Sequence, residues 1–305
     1  MRNSIIVGTR GSALALAQTQ QIIQALKELG PSLRFEVAEI KTQGDNVRDL
    51  GERALDGKRL FTKEIEESLV KKDIRLAVHS MKDLTTELPT GLKIGAVPQR
   101  ADHRDALISR DKRKFEQLSG RARVGTSSPR RRTQLLAARN DLHVLDIHGN
   151  VGTRLRKLEA GEYDAIIVAA AGLERLGLEN RATELLSTRV MLPAVGQGAL
   201  AVETREDDEE ILELLSRIDH EPTHRAVEAE RAFAEKLGAN CRTPIAAFAT
   251  VQKTKLRIDG LVASLDGRML LRTQLISDQS DPKKVGEQLA ESLLSKGAQQ
   301  ILEAT

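Results

Sequence analysis

Aromatic side chains are scarce in this sequence, which has no tryptophan, one tyrosine and five phenylalanines among 305 residues. The cores must therefore be aliphatic, and the stacking platforms on which single-stranded nucleic acids bind are lacking. The formal net charge is only +3, too small to predict a polyanionic polymer as partner. A nucleic-acid binder, which the run Arg130-Arg131-Arg132 and Arg154 with Arg156-Lys157 would suggest, is therefore disfavoured, although basic clusters can still bind small acids.

Cysteine occurs once, as Cys241, so the chain cannot form an internal disulfide. The thiol is left with inert packing, nucleophilic catalysis or covalent attachment of another group. The single cysteine has no thiol partner with which to bind a metal, and we expect no metal site. A Walker A loop is absent, and Gly196-Gln197-Gly198 lacks the third glycine of a dinucleotide-binding fingerprint.

Long hydrophobic runs are also missing, and no stretch approaches the length of a membrane-spanning helix. The N-terminal residues lead into an apolar strand without an export signal. Together with the single cysteine, these features predict a cytoplasmic protein that does not bind membranes.

The sequence does contain a regular alternation of short apolar runs with amphipathic helical stretches. One set runs from Ile5 to Val78 and a second from Ala106 to Val168, which predicts two α/β domains with largely parallel sheets. The C-terminal part instead groups alternating strands between helices, the last helix capped by Asp281 and begun by Pro282. This order predicts a small α+β domain.

Turns of one kind recur, in which polar side chains follow a strand and open a helix. They are Thr9–Ser12, Gly125–Arg132 and His148–Arg154. Backbone N–H groups, hydroxyls and guanidinium groups converge at such helix starts and form anion sites. In the second turn, Ser128 suits the N-cap and Pro129 the first helical position. An ordinary capped helix with solvated arginines is the alternative, and the local pattern leaves both open.

The segment His79-Ser80-Met81-Lys82-Asp83 follows a predicted strand, at the end where α/β proteins commonly bind ligands. Asp83 could be an acid, a base or a stabiliser of developing positive charge, with Lys82 beside it to bind a ligand anion. A turn aspartate with a neighbouring lysine is the alternative. For His79, a hydrogen-bonded structural role is favoured over metal ligation.

Several blocks, taken in order, resemble the porphobilinogen deaminase family. They are Arg10-Gly11-Ser12, Gly57-Lys58 with Leu60-Phe61, His79–Asp83, Gly125–Arg131, Gly149-Asn150-Val151 with Thr153-Arg154, Leu192–Ala199, and Cys241. The ordered set covers nearly the whole chain and is far more specific than any one block. The resemblance implies an enzyme that condenses four porphobilinogen molecules, with loss of ammonia, onto a primer and releases hydroxymethylbilane by hydrolysis.

The resemblance also implies three domains and, we expect, a monomer. Residues 1–98 with 199–217, and residues 104–193, would form two α/β lobes similar to those of type II periplasmic binding proteins, with mixed, largely parallel sheets. Residues 221–305 would form the small α+β domain with a three-stranded antiparallel sheet.

By the same resemblance, Cys241 carries a dipyrromethane cofactor through a thioether, and Asp83 is the catalytic carboxylate that stabilises positive charge. Every pyrrole ring bears an acetate and a propionate, which guanidinium groups are suited to bind. The residues implied to bind these carboxylates, on cofactor or substrate, are Arg10, Ser12, Lys58, Ser80, Lys82, Thr126, Ser127, Ser128, Arg130, Arg131, His148, Gly149, Arg154, Arg175 and Gln197.

The sequence departs from the family pattern at a few positions. His148 stands where the family usually has arginine, Ala54 where many members have lysine, and Ala239-Asn240 where two glycines commonly precede the cysteine.

The main rival interpretation is a binding module of periplasmic or regulatory type, which would share the two lobes but catalyse no reaction. Cys241 and the third domain favour the enzyme, because such a module needs neither.

Overall fold

The computed structural model describes residues 4–46, 61–240, 243–278 and 280–303. The chain forms two units: unit 1 comprises Met1–Arg100 and Ala199–His224, and unit 2 comprises Ala101–Gly198 and Arg225–Thr305. In the described ranges the strands are β1 (Ile5–Thr9), β2 (Phe35–Glu39), β3 (Leu76–Ser80), β4 (Leu92–Ala96), β5 (Asp105–Ser109), β6 (Arg123–Gly125), β7 (His143–Leu145), β8 (Ala165–Ala169), β9 (Glu184–Leu185), β10 (Leu200–Arg205), β11 (Ile245–Gln252), β12 (Lys255–Ala263) and β13 (Leu270–Asp278). The helices are α1 (Ala13–Leu29), α2 (Gln43–Asn46), α3 (Lys63–Val70), α4 (Pro129–Ala138), α5 (Val151–Glu159), α6 (Ala170–Glu174), α7 (Glu209–Ser216), α8 (Glu221–Lys236), α9 (Pro282–Leu294) and α10 (Ala298–Glu303).

The sheet of unit 1 has the strand order β2-β1-β3-β10-β4. β1 pairs in parallel with β2 and β3, whereas β10 is antiparallel to both β3 and β4. Its inner strands β1, β3 and β10 are mostly buried because side chains on both faces of the sheet are covered, whereas the edge strand β2 has no buried residue. Val7, Leu76 and Val202 pack with Ile22 and Leu26 of α1 in its core.

Unit 2 contains two sheets. The first has the order β7-β6-β8-β5-β9, in which β6 is parallel to β7 and β8, and β5 is antiparallel to β8 and β9. The second is the antiparallel sheet β11-β12-β13. Phe233 of α8 and Leu289 of α9 are buried in the core beside it, among aliphatic side chains.

The predicted mixed sheets and the C-terminal three-stranded antiparallel sheet are confirmed. Each five-stranded sheet has two parallel and two antiparallel pairings, so the parallel character is weaker than the alternation of strands and helices alone predicts. Within the described ranges, no helix is both long and apolar enough to cross a membrane. The division into three domains stays a prediction.

Helix starts follow the local chemistry of the sequence. Ser12 caps α1 by accepting a hydrogen bond from the Ala15 N–H at 3.2 Å, and Asp281 caps α9 as predicted, accepting from the Lys284 N–H at 3.0 Å. Ser128 occupies the N-cap of α4 and Pro129 its first position, also as predicted. The Ser128 hydroxyl makes no capping bond, however, and so has no partner in the described ranges.

Helices α8 and α9 pack closely at one glycine. A Cβ placed on Gly286 would overlap the carbonyl oxygen of Ala229 and lie 3.0 Å from the backbone nitrogen of Phe233. Backbone atoms cannot rotate out of the way as the end of a flexible side chain can. Glycine at this position therefore allows the two helices to approach each other.

We predict that Gly286→Ala lowers the free energy of unfolding by about 1 to 3 kcal/mol, because the helices must separate to accommodate the methyl group. Urea denaturation measures this change. The matched control is Gly152→Ala in α5, where an added Cβ would lie no closer than 3.6 Å to any neighbour. There the higher helix propensity of alanine should stabilise the chain by up to about 1 kcal/mol. Stabilisation of the Gly286→Ala variant would show that α8 and α9 are not held at this distance.

Candidate functional site

A cleft in unit 1 lies where β1 and β3 end and α1 begins. We call it the unit 1 cleft. It has a volume of about 420 Å³ including its open mouth, and its lining residues are Arg10, Ser12, Leu14, Ala15, Gln18, Phe61, Thr62, Val78, His79, Ser80 and Asp83. Sequence analysis named four of these, Arg10, Ser12, Ser80 and Asp83, as site residues, and the structure brings them together.

Asp83 lies in a 3₁₀ turn, Met81–Asp83, directly after β3. The Met81 N–H donates to the Ala199 carbonyl at 3.1 Å, which anchors the start of this turn. Asp83 itself is exposed, as is Lys82. The carboxylate is therefore accessible to a ligand, and the backbone that carries it is tied to the sheet.

The cationic side of the cleft is provided by Arg10, whose guanidinium carbon lies 4.3 Å from the centroid of the Phe61 ring. Ser12 caps α1, so the N-terminus of a 17-residue helix faces the same lining. A helix N-terminus and a guanidinium group both favour an anion. The cleft thus combines an anion-binding wall with the exposed carboxylate of Asp83.

Two buried polar side chains in the lining of this cleft have hydrogen-bond partners. Gln18 donates from Nε2 to the Ser80 hydroxyl at 2.8 Å. His79 Nε2 lies 2.9 Å from Glu203 Oε2, so the predicted hydrogen-bonded histidine is confirmed. Sequence analysis missed Gln18, although a polar residue within the apolar face of α1 is a usable signal.

In unit 2, one carboxylate organises what we call the arginine cluster: Asp105, Arg130, Arg131 and Gln197. Asp105 opens β5 and is completely buried. It accepts from Arg130 Nη1 at 2.8 Å through Oδ2 and from Arg131 Nε at 2.9 Å through Oδ1. Gln197 adds a third donor, with Nε2 at 3.1 Å from Oδ1.

The electrostatics of this cluster are strongly coupled. Burial alone would raise the pKa of Asp105, but the positive charges of Arg130 and Arg131 more than compensate and lower it to about 2. Burial lowers the pKa of Arg131 in spite of its pairing with Asp105, and the charge of Arg130 acts in the same direction. Two cations share a single anion, so the cluster carries excess positive charge.

Hydroxyl residues line the segment that follows β6. The buried Thr126 hydroxyl accepts from the Ser128 N–H at 3.2 Å. The Ser127 hydroxyl donates to the Ile147 carbonyl and accepts from the Ile147 N–H, both at 2.9 Å. Ser127 is therefore fully engaged in holding the segment after β7, whereas Ser128 retains a hydroxyl for a ligand.

Arg154 is a desolvated cation near this cluster. Burial lowers its pKa to about 10, and the charge of Arg131 acts in the same direction. Its Nε donates to the Gly149 carbonyl at 2.8 Å, and no carboxylate of the described residues pairs with it. Gly149 has a φ of +108°, which requires glycine there, and the adjacent His148 is exposed.

Arg175 shows the same pattern. Burial lowers its pKa, its Nη2 donates to the Gly198 carbonyl at 2.8 Å, and its Nε is buried without a hydrogen-bond partner. Arg130 Nε is likewise buried and unpartnered. Unit 2 therefore holds several guanidinium donors whose hydrogen-bonding capacity the described chain does not fill.

The predicted site residues thus fall into the unit 1 cleft and the surroundings of the arginine cluster. Lys58 and Cys241 lie outside the described residues. Asp105 was not identified from the sequence. A carboxylate directly before the apolar run Ala106–Ile108 is nevertheless a usable signal, because a charge buried there needs a partner. In the described ranges, no group of histidine, cysteine and acidic residues is arranged to hold a metal ion.

Two family models together match most of the chain. Residues 5–213 match the family model "Porphobilinogen deaminase, dipyromethane cofactor binding domain", and residues 224–295 match "Porphobilinogen deaminase, C-terminal domain". The chain is similar to porphobilinogen deaminase of Carboxydothermus hydrogenoformans, with 48% identity over 303 residues covering 99% of this chain and 97% of that protein. The porphobilinogen deaminase of Bacillus cereus is 49% identical over 300 residues, covering 98% and 96%. Among solved structures, the chain aligns with ytmK of Bacillus subtilis, which is described as a probable amino-acid ABC transporter extracellular-binding protein. The TM-score is 0.42 and the identity is 11%, and the alignment covers 71% of this chain and 90% of ytmK.

We predict that Asp105→Asn lowers the free energy of unfolding by about 3 to 5 kcal/mol at neutral pH, because two guanidinium groups would stay buried without a counter-charge. Urea denaturation measures the loss. The matched control is Asp141→Asn, which breaks an exposed pair in which Arg139 donates to both carboxylate oxygens at 2.7 Å. Because solvent screens that pair, the control should lose much less stability than Asp105→Asn.

The difference between wild type and Asp105→Asn should also depend on pH. The pKa of Asp105 is about 2 in the folded chain, below its ordinary value of 3.8. A carboxyl group with a lowered folded-state pKa contributes stability that is fully present above pH ~4 and is lost as the pH falls through ~2. The difference should therefore narrow across this interval. A constant difference would contradict the charge pairing.

Proposed function

This chain belongs to the porphobilinogen deaminase family, and on that premise we propose that it is a transferase acting on porphobilinogen. It condenses four molecules, with loss of ammonia, onto a dipyrromethane primer and releases the linear tetrapyrrole hydroxymethylbilane by hydrolysis. The primer is bonded through a thioether to Cys241, the only thiol of the chain. The enzyme acts as a cytoplasmic monomer and binds neither nucleic acid nor membranes.

The observation that carries the proposal is the desolvated guanidinium group of Arg154, which has no carboxylate partner in the described ranges and whose pKa is lowered to about 10. A partly buried cation without a counter-ion is unfavourable, and a ligand that supplies one is bound more strongly. Each pyrrole of the substrate carries two carboxylates. Binding one of them beside Arg154 would restore the missing negative charge and strengthen the interaction in a water-poor environment.

The donors present also fit a cofactor that bears carboxylates. The buried, unpartnered Nε atoms of Arg130 and Arg175 are the kind of orphan donor that such a group satisfies. With Arg131, Arg154 and the free hydroxyl of Ser128, they would hold the dipyrromethane. When bound, this group supplies the pyrrole carbon to which substrate units are added.

In the unit 1 cleft, Asp83 is the catalytic carboxylate. Departure of ammonia leaves positive charge on the substrate pyrrole, and a fixed carboxylate stabilises that charge as it develops. Arg10 and Ser12, which line the same cleft, bind the substrate carboxylates together with Ser80 and Lys82, which are close to Asp83 in sequence. The anchored turn that carries Asp83 supports this role, because preorganised charges need little rearrangement during the reaction.

The remaining implied residues contribute in different ways. Gln197 and Thr126 are buried and orient their neighbours, Ser127 holds the backbone at Ile147, and Gly149 provides the turn before α5. His148 is exposed beside that turn and is proposed to contact a ligand carboxylate in place of the family's usual arginine. For Lys58, carboxylate binding stays a prediction.

The first functional prediction is a covalent adduct on the only cysteine. Freshly purified wild-type enzyme should be heavier than its polypeptide by one dipyrromethane, and peptide mapping should place the addition on the fragment that contains Cys241. Cys241→Ser should lack both the adduct and turnover, because the serine hydroxyl is a much weaker nucleophile than a thiolate. Active wild-type enzyme with the bare polypeptide mass would contradict the thioether.

The second functional prediction separates binding from chemistry at Asp83. Asp83→Asn should remain folded and keep its adduct but lose roughly a thousandfold or more in kcat, equivalent to several kcal/mol of transition-state stabilisation. Asp83→Glu retains the charge at a shifted position and should keep part of the activity. Asp73→Asn, an exposed aspartate before the other end of β3, is the control and should turn over normally. Equal rates for Asp83→Asn and this control would remove Asp83 from the chemistry.

A further inference from the structure

One buried ionisable pair beside the unit 1 cleft has no part in the function proposed so far. His79 on β3 and Glu203 on β10 have side chains that are 4% and 0% exposed, with Nε2 and Oε2 2.9 Å apart. The antiparallel register places Ala201 opposite His79 and Glu203 opposite Ala77, so the contact is a diagonal pair across neighbouring strands. The sheet therefore holds the two side chains in fixed relative positions.

The other polar atoms of the pair are unsatisfied. Glu203 Oε1 is buried without a hydrogen-bond partner, and His79 Nδ1 has none among the described residues. Yet His79 lines the cleft together with Arg10 and Asp83. A purely structural pair would be expected to have all its buried polar atoms satisfied.

The arrangement is that of an imidazole general base with a carboxylate that orients it. A carboxylate that accepts a hydrogen bond from one imidazole nitrogen fixes the tautomer and leaves the lone pair on the other nitrogen. With Glu203 ionised, the hydrogen lies on Nε2 and Nδ1 can take up a proton. The charged groups on the surrounding elements are Glu203 on β10, Arg10 and Asp83 in the lining of the cleft, and the buried Glu66 of α3, a helix that packs against β3 and β10.

We infer that His79 accepts and releases a proton at Nδ1 during turnover, and that Glu203 is the positioning residue that sets its tautomer. The inference rests on the proposed function. In each addition a C–N bond breaks with release of ammonia, a C–C bond forms and a pyrrole C–H bond breaks. The proton from that C–H bond passes to His79 Nδ1 and from there to ammonia or water. Asp83 stabilises positive charge, and His79 moves the proton.

The decisive variant is His79→Gln, whose amide nitrogen can replace Nε2 and keep the hydrogen bond to Glu203 but cannot take up a proton. Turnover should fall about 100-fold in kcat, with KM changed by less than about twofold and the covalent adduct retained. The matched control is His224→Asn, because His224 Nδ1 contacts Asp219 at 2.8 Å in the same unit but does not line the cleft. The control should have wild-type kcat, and an undiminished kcat in His79→Gln would overturn the inference.

A second measurement does not depend on turnover. Nitrogen NMR of the histidine rings in the wild-type holoenzyme, with the His79 signals assigned by their loss in His79→Gln, reports the tautomer directly. We expect Nε2–H at alkaline pH in wild type and a mixture of tautomers in Glu203→Gln, because the amide can donate as well as accept. An Nδ1–H tautomer in wild type, or an unchanged tautomer in Glu203→Gln, would overturn the assignment. Wild-type enzyme without adduct or turnover would instead refute the proposed function, and the two failures are thus distinguishable.

Discussion

The buried carboxylate of Asp105 is the charge on which the anion-binding part of unit 2 depends. Arg130 and Arg131 are adjacent in sequence and both almost completely buried, an arrangement that mutual repulsion and desolvation would otherwise oppose. Asp105 pairs with both of them, the Leu192 carbonyl accepts from the same Arg130 Nη1 that donates to Asp105, and the Ile167 carbonyl accepts from Arg131 Nη1. The N-terminus of α4 is thereby fixed to β5 and β8.

Because one anion serves two cations, the cluster does not neutralise itself. The excess positive charge of the cluster acts on Arg154, because the charge of Arg131 and the burial of Arg154 both lower the pKa of Arg154. A ligand carboxylate relieves both effects at once, whereas a neutral ligand relieves neither. The fold leaves this positive charge uncompensated, and we attribute the affinity for acidic pyrroles to it. Arg175 and Arg130 have unfilled hydrogen-bonding capacity, which can orient the ligand.

Local features were predictable from the sequence, and features set by distant pairings were not. Ser12, Ser128 and Asp281 mark helix starts because capping depends on residues within one turn. By contrast, β10 pairs antiparallel between β3 and β4, more than 100 residues away from either, and no local pattern specifies that register. The contacts of Asp105 with Arg130 and of His79 with Glu203 depend on such pairings. A charged side chain beside an apolar run signals that a partner exists, but only the topology identifies that partner.

The two buried carboxylates of the sheets differ in a way that separates structure from chemistry. Asp105 accepts from two guanidinium groups and an amide, so both of its oxygens are satisfied and its pKa of about 2 keeps it ionised throughout the physiological range. Glu203 has one partner, a histidine, and one buried oxygen with none. A fully satisfied carboxylate resists any change of protonation, because every change breaks a bond. The Glu203 carboxylate, which has one partner, lacks the set of donors that fixes the charge of Asp105. It is this contrast that assigns a fixed charge to Asp105 and a mobile proton to His79.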